Sequence, residues 1–379
     1  MLSQPAARDL ATELFAKWEK ERKALDRIDL WYRHDQEPYK LPASATREMK
    51  ALEEVSRTPW LGLVVTSTAQ LLYVDGWRSL AMDRELKGVP KSERDTPTAW
   101  QTWQENRLDE RQIAVHRGAL AYGYSFAKIF PGEDADGGRA VTIKGVSPRQ
   151  MFAVYRDPAN DEWPMFTIEV ERSGADFMLR VTDEEHVYFL SRPKDSTAVT
   201  YLDTRIHGVG VAPVARFSNQ LDLEGRAPGE IEPYIPLARR INKTDYDRLV
   251  AQHFNSTVIR TVSGLTKPET DEMQNQRAIE LGLGRLLVAE DPDTKFGSLP
   301  ATPLGDLISA KEQDVKSLSA VSQTPTHELT GDLINLSAEA LAAAKAAQRA
   351  KVAERKRSFG ATWGSALRLA DFIRGDLFG

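Results

Sequence analysis

The sequence predicts an α+β fold, in which a helical part, a β-rich part and a second helical part follow one another along the chain. Three observations lead to this prediction. Apolar residues recur at helical spacing up to about Tyr122, short runs of strand-forming residues alternate with turn residues over 126–217, and helical patterns return after residue 229. Hydrophobic residues make up 41% of the 379 residues and charged residues 28%, so the chain can bury a core of ordinary size.

Cap residues and apolar spacing predict four helices in the first part. Pro5 suits the first turn of the first helix, which contains Leu14 and Trp18. Ser44 or Thr46 can cap the second helix. The remaining helices are predicted over 41–55, over 61–74 with an end near Asp75-Gly76, and from 96–98 to Gly123.

Six short runs rich in β-branched and aromatic residues follow, separated by stretches of Gly, Pro, Asp and Ser. Short connections of this kind favour a mostly antiparallel arrangement. The runs are 141–146, 151–157, 165–172, 176–183, 186–190 and 198–203.

Three helical patterns occupy the last part of the sequence. Two long helices with thin apolar stripes are predicted at 229–254 and 304–323, with shorter β-like pieces between them. A loop at 324–336 contains Pro, His, Gly and Asp. The third helix begins after Ser337 as its N-cap and runs to about Phe359, with Gly360 placed to stop it.

This last helix is rich in alanine and poor in large apolar residues, since Leu341 and Val352 are its only large aliphatic residues over 338–358. It is therefore either a solvated surface helix or a rod packed closely against other segments, including other subunits. Its basic C-terminal half suits the negative end of a helix dipole.

Several classes of site are excluded or disfavoured by the sequence. The absence of cysteine excludes disulfides, thiolate metal sites and a cysteine nucleophile. No G-x-x-x-x-G-K-[ST] motif is present. His327-Glu328 begins like H-E-x-x-H, but Gly331 stands where the second histidine would be. His116 lies in a helical pattern and is interpreted as a packed residue. The sequence therefore predicts no enzyme, cofactor or metal site.

The net charge and the length of the apolar runs limit which partners we expect. A net charge of −5 does not favour binding nucleic acid through phosphate neutralisation alone. No signal peptide is expected at the N-terminus. The longest apolar run, 61–74, contains Thr, Ser and Gln and is shorter than the roughly 20 apolar residues of a membrane span, so no membrane contact is expected.

The order of these parts resembles the portal proteins of tailed bacteriophages, in particular those of long-tailed phages that infect actinobacteria. The resemblance covers nearly the whole chain, and its specificity lies in the combination of stretches. These are LDRIDLWYRHDQEPYKLP (25–42), LLYVDGWR (71–78), W-x-x-W-x-x-N-x-L-D (100–109), HRGALAYGYSF (116–126), PVARFSN (213–219), EIEPYIPLARRINKTDYDRLV (230–250) and SAVSQTPTHELTGDLINLSAEALAAAKA (319–346).

The resemblance implies a ring, usually of twelve subunits, at one vertex of the capsid in the virion. Double-stranded DNA would slide non-specifically through its channel during genome packaging and ejection. It also implies assembly in the host cytoplasm. The implied partners of this head–tail connector are the major capsid protein, the scaffold, the terminase large subunit and the head–tail adaptor.

The resemblance also assigns each segment to a part of the portal fold. These parts are a wing at 1–228 (helical to about 123, β-rich over 124–228), a first stem helix at 229–254, a small α/β clip at 255–303, a second stem helix at 304–323, a tunnel loop at 324–336, a long wing helix at 337–359 and the start of a short crown at 360–379.

Three groups of residues follow as site candidates. The tunnel-loop residues expected to face DNA are Thr326, His327, Glu328, Leu329, Thr330, Gly331, Asp332, Leu333, Ile334 and Asn335. The stem residues expected to line the channel are Arg248, Lys311, Gln313 and Lys316. The clip residues expected to contact terminase or adaptor are Arg260, Thr261, Arg285, Glu290 and Asp291.

Two other functions remain open at this point. One is a different phage head–tail structural or adaptor protein without a DNA channel. The other is a capsid-associated enzyme that uses His327, Glu328 and Asp332.

Overall fold

The structure, a computed structural model, describes residues 1–76, 98–133, 139–255, 260–263, 295–298, 303–331 and 338–377. It confirms the predicted α+β class. Contacts within the chain define two compact units. Unit 1 comprises Met1–Glu37, Pro59–Arg239 and Val315–Gly379, and unit 2 comprises Pro38–Thr58 and Arg240–Asp314.

The helices of the first part are α1 (Gln4–Tyr32), α2 (Arg47–Ser56), α3 (Trp60–Ala69), α4 (Thr98–Glu105) and α5 (Leu108–Tyr122). Pro5 lies in the first turn of α1, as predicted. Of the two predicted caps for α2, the structure uses Thr46, whose hydroxyl accepts a hydrogen bond from the Met49 N–H at 3.3 Å.

The third helix is shorter than predicted, because it ends at Ala69 rather than near residue 75. Side chains from α5 hydrogen-bond to the backbone of residues 72–74, which follow α3 and are not helical. Gln112 bonds both the N–H and the carbonyl of Val74, at 2.8 and 3.1 Å. His116 Nδ1 lies 2.9 Å from the carbonyl oxygen of Leu72. Tertiary hydrogen bonds thus override the helical preference of this run.

The predicted helix ending at Gly123 is two helices, α4 and α5, because Arg107 has a left-handed backbone with φ of 52°. The neighbouring Asn106 is buried and links this break to a strand. Its amide donates to the carbonyl of Val141 at 2.8 Å and accepts from the N–H of Ile143 at 2.7 Å. The helix must open here for this side chain to reach the strand.

The β-rich part forms two antiparallel sheets in unit 1, as the short connections predicted. The three-stranded sheet has the order β2-β1-β8, and the five-stranded sheet has the order β3-β4-β5-β6-β7. The strands are β1 (Tyr124–Glu133), β2 (Arg139–Val146), β3 (Met151–Val154), β4 (Phe166–Ser173), β5 (Asp176–Thr182), β6 (His186–Pro193), β7 (Thr200–Ile206) and β8 (Val214–Ser218).

Helix α1 packs against the five-stranded sheet. Its buried face includes Leu14, Phe15 and Trp18, and the sheet contributes Val181 and Tyr188. The α1 residues recur at helical spacing, whereas the strand residues alternate, so each element presents one apolar face to the other. This cluster forms one core of unit 1.

The last part of the chain begins with a 3₁₀ turn at Glu232–Tyr234. The elements after it are α6 (Ile235–Asn255), a two-stranded antiparallel ribbon of β9 (Arg260–Ser263) and β10 (Lys295–Ser298), α7 (Gly305–Ser322), α8 (Thr326–Thr330), α9 (Ala338–Ala344), α10 (Ala346–Phe372) and a π-helical turn at Ile373–Leu377. The two long predicted helices, 229–254 and 304–323, thus correspond to α6 and α7. Ser337, the predicted N-cap, lies outside the described residues.

The prediction that Gly360 stops the third helix is wrong, because α10 continues through it to Phe372. An interior glycine costs a helix about 1 kcal/mol relative to alanine. The buried face of α10 on both sides of Gly360 outweighs this cost, and it includes Phe359, Trp363 and Leu367. The ring centroids of Trp363 and Phe217 are 4.6 Å apart. The basic residues of 345–357 therefore lie far from the helix C-terminus, and complementing its dipole does not explain them.

Unit 2 contains α2, most of α6, the first half of α7 and the ribbon. Its buried Glu53 carboxylate accepts from the Tyr39 N–H at 3.1 Å and forms an ion pair with Arg57 at 2.7 Å. The Thr58 N–H donates to the side-chain oxygen of Asn242 at 3.3 Å. These bonds attach the 38–58 segment to α6. No helix within the described residues is both long and apolar enough to cross a membrane.

Candidate functional site

The described half of the 324–336 loop is a short helix rather than an open loop. Pro325 precedes α8, and Gly331 follows it with φ of 75°, a left-handed conformation that favours glycine. The Ser319 hydroxyl at the end of α7 donates to the Thr324 carbonyl at 2.7 Å and lies 2.8 Å from the Thr326 hydroxyl. Leu329 is buried. The base of the loop is therefore fixed to unit 1.

Glu328 points back toward the Ala-rich helices. The Gln348 amide of α10 donates to its carboxylate at 2.8 Å. The Lys345 ammonium, between α9 and α10, lies 3.8 Å from its other oxygen. The Glu328 carboxylate, which the resemblance assigns to the DNA-facing residues, thus contacts the residues that join the loop to α10.

A buried ionic cluster lies one turn further along α10. We call Asn219, Glu230, Lys351 and Arg355 the anchor cluster. Lys351 Nζ donates to the Glu230 carboxylate at 3.3 Å and to the Ser322 carbonyl, at the end of α7, at 2.7 Å. Arg355 donates to Asn219 Oδ1 at 2.6 Å and to Glu230 at 3.3 Å. The side chains of Lys351, Arg355 and Glu230 are 1–3% exposed.

The anchor cluster joins four segments that are remote in sequence. Asn219 follows strand β8, and its amide also donates to the Pro228 carbonyl at 2.9 Å. Glu230 precedes α6, Ser322 ends α7, and the two cations lie on α10. Burial lowers the pKa of Lys351, and the Glu230 carboxylate opposes this shift. Because an unpaired buried charge is costly, the four segments can separate only with a large loss of free energy.

A second junction holds the far half of α10. Trp363 Nε1 donates to His116 Nε2 at 2.9 Å, so His116 is the neutral Nδ1–H tautomer that donates to the Leu72 carbonyl. Burial lowers the pKa of His116 to about 4. The imidazole is fully buried and uses both nitrogens, which agrees with the interpretation of His116 as a packed residue.

The predicted stem residues fall into two kinds. In unit 2, Lys311 Nζ lies 2.9 Å and Arg248 Nε lies 3.4 Å from the carboxylate of Asp245, whose side chain is 5% exposed. Both cations therefore balance an internal carboxylate. The side chains of Gln313 and Lys316 are exposed.

The remaining candidates can be placed only in part. Arg260 and Thr261 belong to strand β9. Outside the described residues lie Asp332, Leu333, Ile334 and Asn335 of the loop and Arg285, Glu290 and Asp291 of the clip.

Among the residues that the structure describes, no catalytic arrangement occurs around the loop. Glu328 is held by Gln348 and Lys345, and no group of three or more potential metal ligands occurs in the described part of the chain. Another turn with an acidic residue and a histidine, Asp183 and His186, connects strands β5 and β6, and its hydrogen bonds stabilise that hairpin. There Asp183 accepts from the N–H groups of Glu185 and His186 at 2.9 and 2.6 Å.

Sequence reasoning missed the anchor cluster. The sequence contains only a weak indication of it. Lys351 and Arg355 are four residues apart and so lie on one helix face, whereas nearby positions such as Ala353 and Lys356 are exposed. Nothing local, however, indicates that their partner is Glu230.

Comparisons with known proteins agree with this architecture. A profile of the family described as "Phage portal protein, SPP1 Gp6-like" matches residues 12–377. The portal protein of Mycobacterium phage L5 is 25% identical over 377 residues, which cover 94% of this chain and 73% of that protein. The portal protein of Mycobacterium phage D29 is 25% identical over 390 residues, covering 97% and 75%. The chain therefore belongs to the SPP1 Gp6-like family of phage portal proteins.

Proposed function

We propose that the protein forms a closed ring, usually of twelve subunits, at one vertex of the phage capsid. Double-stranded DNA enters and leaves through the channel of this ring. The observation that carries the proposal is the family match, which spans residues 12–377.

Membership of this family supports the assignment of parts. In this proposal 1–228 is the wing, and α6 and α7 are the two stem helices. The 255–303 segment is the clip, 324–336 is the tunnel loop, 337–359 belongs to the long helix and 360–379 begins the crown. The helical character of α6 and α7 fits stem helices, and the left-handed Gly331 fits a change of chain direction at the loop.

The anchor cluster gives this proposal a physical basis. A loop that contacts moving DNA needs a base that does not move with it. Lys351 and Arg355 join the helix behind the loop to the segment before α6 and to the end of α7. We infer that this buried ionic junction keeps the base of the loop in register with both stem helices.

The charge distribution favours a channel in which DNA slides rather than one that binds DNA tightly. The chain is acidic overall, and Lys311 and Arg248 already balance Asp245. Lys316 is exposed and forms no ion pair within the described part of the chain. Few free cations along the channel would keep phosphate contacts weak and non-specific.

The proposed partners follow from the same assignment. The wing would contact the major capsid protein, and the scaffold would guide assembly in the host cytoplasm. The clip, with Arg260, Thr261, Arg285, Glu290 and Asp291, would contact the terminase large subunit during packaging and then the head–tail adaptor.

Native mass spectrometry of the purified protein, with two-dimensional electron-microscopy classes of the same sample, tests the proposal. We expect a ring near twelve copies with an opening wide enough for duplex DNA. A compact oligomer without a channel would instead favour an adaptor protein. A monomer calls for the same measurement in the presence of capsid protein and scaffold, where persistent failure to form rings would refute the proposal.

A further inference from the structure

An exposed leucine projects from a turn that is held rigidly. In the turn 221–226, the Asp222 carboxylate accepts from the N–H groups of Glu224 and Arg226 at 2.9 and 2.8 Å. The Arg226 guanidinium also donates to it, at 2.7 Å. Leu223 at the tip is 94% exposed, the highest value among large hydrophobic side chains of the described residues.

This turn cannot fold inward to bury its leucine. Gly225 has φ of 79°, and a Cβ built on it would lie 2.3 Å from the Pro158 side chain, so the turn packs closely on Pro158. A single exposed leucine is ordinary on a protein surface. Leu223 becomes informative because a complementary surface exists elsewhere on unit 1.

That surface is a groove of about 770 Å³ between α5, β2 and the end of α1. Its walls are apolar or small and include Tyr32, Ala114, Gly118 and Ile143. Its charged residues are all cations, namely Arg111, Arg117 and Lys144, and no Asp or Glu of the described residues lines it. No residue of the 221–226 turn lines it either.

The cations of the groove lack carboxylate partners among the described residues, although Arg111 donates to the Asn106 carbonyl at 3.3 Å. None of the three forms an ion pair within the described part of the chain, although the whole chain carries a net charge of −5. Arg117 Nε is buried and meets no hydrogen-bond acceptor among the described residues. An occupant that fits must therefore bring both apolar area and carboxylates.

The 221–226 turn has this chemistry. It presents two leucines, Leu221 and Leu223, and carries two carboxylates against one cation. That cation, Arg226, lies 2.7 Å from Asp222 and 3.1 Å from Glu224, and the Glu224 side chain is 72% exposed. In a cyclic ring each subunit uses two different surfaces that complement each other in its neighbours. A turn and a groove formed by different residues of the same unit meet this requirement.

We propose that, in the ring, Leu223 of one subunit occupies the groove between α5, β2 and the end of α1 of the next subunit. Glu224 would then lie near the cations of that groove. This inference rests on the proposed ring and adds a specific contact to it. DNA phosphate is a poorer occupant, because it would leave the apolar walls of the groove exposed to solvent.

Disulfide trapping tests the contact directly, since the chain has no cysteine of its own. With a mild added oxidant, the double variant Leu223→Cys/Ala114→Cys should give a ladder of cross-linked oligomers on a non-reducing gel. Each single variant alone should remain monomeric on that gel, and a mixture of the two should give dimers only. The matched control Ile206→Cys/Ala114→Cys uses another leucine-sized exposed residue, 76% exposed, and should not cross-link.

The outcomes separate this inference from the proposed function. Rings by electron microscopy without cross-links would overturn the contact and leave the ring standing. A cross-link within one chain, seen as a faster-moving monomer, would also overturn it. Absence of both rings and cross-links, with capsid protein and scaffold present, would overturn both proposals.

A second test measures the contribution of the contact. Leu223→Ser should raise the protein concentration of half-assembly about tenfold, whereas Ile206→Ser should leave it unchanged. Arg117→Glu should weaken assembly, and adding Glu224→Lys should restore part of it. Equal effects of the two serine variants, or no recovery in the charge-swapped pair, would contradict the proposed contact.

Discussion

Lys351 and Glu230 are 121 residues apart in sequence, yet the lysine ammonium lies 3.3 Å from the carboxylate and both side chains are almost fully buried. Arg355 shares the same carboxylate at 3.3 Å. Two cations of α10 thus share one buried acid in the segment before α6. The pairing connects α10 to that segment within unit 1.

Glu230→Gln should destabilise unit 1 by about 3–5 kcal/mol, because it leaves Lys351 buried without its counter-charge and removes the buried one of the two carboxylates that pair with Arg355. Urea unfolding followed by circular dichroism measures this change. Glu232→Gln is the matched control, since its carboxylate is half exposed and 4.0 Å from Arg27, and it should change stability by less than about 0.5 kcal/mol. Similar effects of the two variants would mean that the buried pairing contributes little.

Stability should fall as the pH drops below about 6.5, because of His116. Its pKa is about 4 in the folded chain against an ordinary 6.5, so between these values only the unfolded chain binds the proton. The contribution of neutral His116 is therefore complete above pH 6.5 and is lost toward pH 4, a change of about 3 kcal/mol.

Thermal melts at several pH values check this prediction. His116→Gln should lower stability at pH 7 but flatten its dependence between pH 4 and 6.5. The control variant His34→Gln, at a partly buried histidine, should keep the wild-type dependence of stability on pH. An unchanged slope in His116→Gln would assign the pH dependence to other groups.

Lys311 and Lys316 should behave differently, although both lie on α7. Lys311→Met removes one of the two cations that pair with buried Asp245 and should lower stability by about 1–2 kcal/mol, with little change in DNA affinity. Lys316→Met should leave stability within about 0.5 kcal/mol and weaken non-specific DNA binding, with a shallower salt dependence. Thermal unfolding and DNA binding at two salt concentrations distinguish them. Loss of DNA binding in a stable Lys311→Met ring would show that Lys311 faces the channel.

Gly360→Ala should stabilise the protein by about 0.5–1 kcal/mol, because the glycine is exposed inside α10 and a Cβ there meets no atom within 4 Å. Gly123→Ala is the opposite case. Its φ is 96°, and a Cβ would lie 1.8 Å from the Ala227 carbonyl oxygen, so this variant should be strongly destabilised. Thermal melts of both variants check the contrast. A lower melting temperature in Gly360→Ala would indicate that α10 needs flexibility at this position.

Deletion of residues 326–335 should leave ring assembly intact but impair DNA packaging or retention, if these residues form the tunnel loop. Electron microscopy of the variant ring and the DNA content of assembled heads measure the two effects. Glu328→Gln is a milder comparison that loosens the link to Lys345 without removing the loop. Normal DNA content in heads built with the deletion variant would refute the tunnel-loop assignment.

Much of the architecture was predictable because its causes are local. The Thr46 cap, the antiparallel strands and the two long helices depend on residues within a few positions of one another. The predicted ranges 229–254 and 304–323 agree closely with Ile235–Asn255 and Gly305–Ser322. For the candidate site, the resemblance supplied the loop and its expected DNA-facing residues, which stay predictions. The structure adds internal partners for Glu328, Lys311 and Arg248 that the sequence did not reveal.

By itself the sequence determined the fold class, the order of elements and the resemblance to the portal family. Only the tertiary structure decided that α10 continues through Gly360, that a helix breaks at Arg107, and that Lys351 and Arg355 are buried against Glu230. The physical reason is one of scale. Local preferences are worth about 1 kcal/mol per residue, whereas burying an aromatic face or an ionic cluster changes the free energy by several times as much. The partners that provide this energy lie from 35 residues away, at Asn106, to 247 residues away, at Trp363, where no local pattern can reveal them.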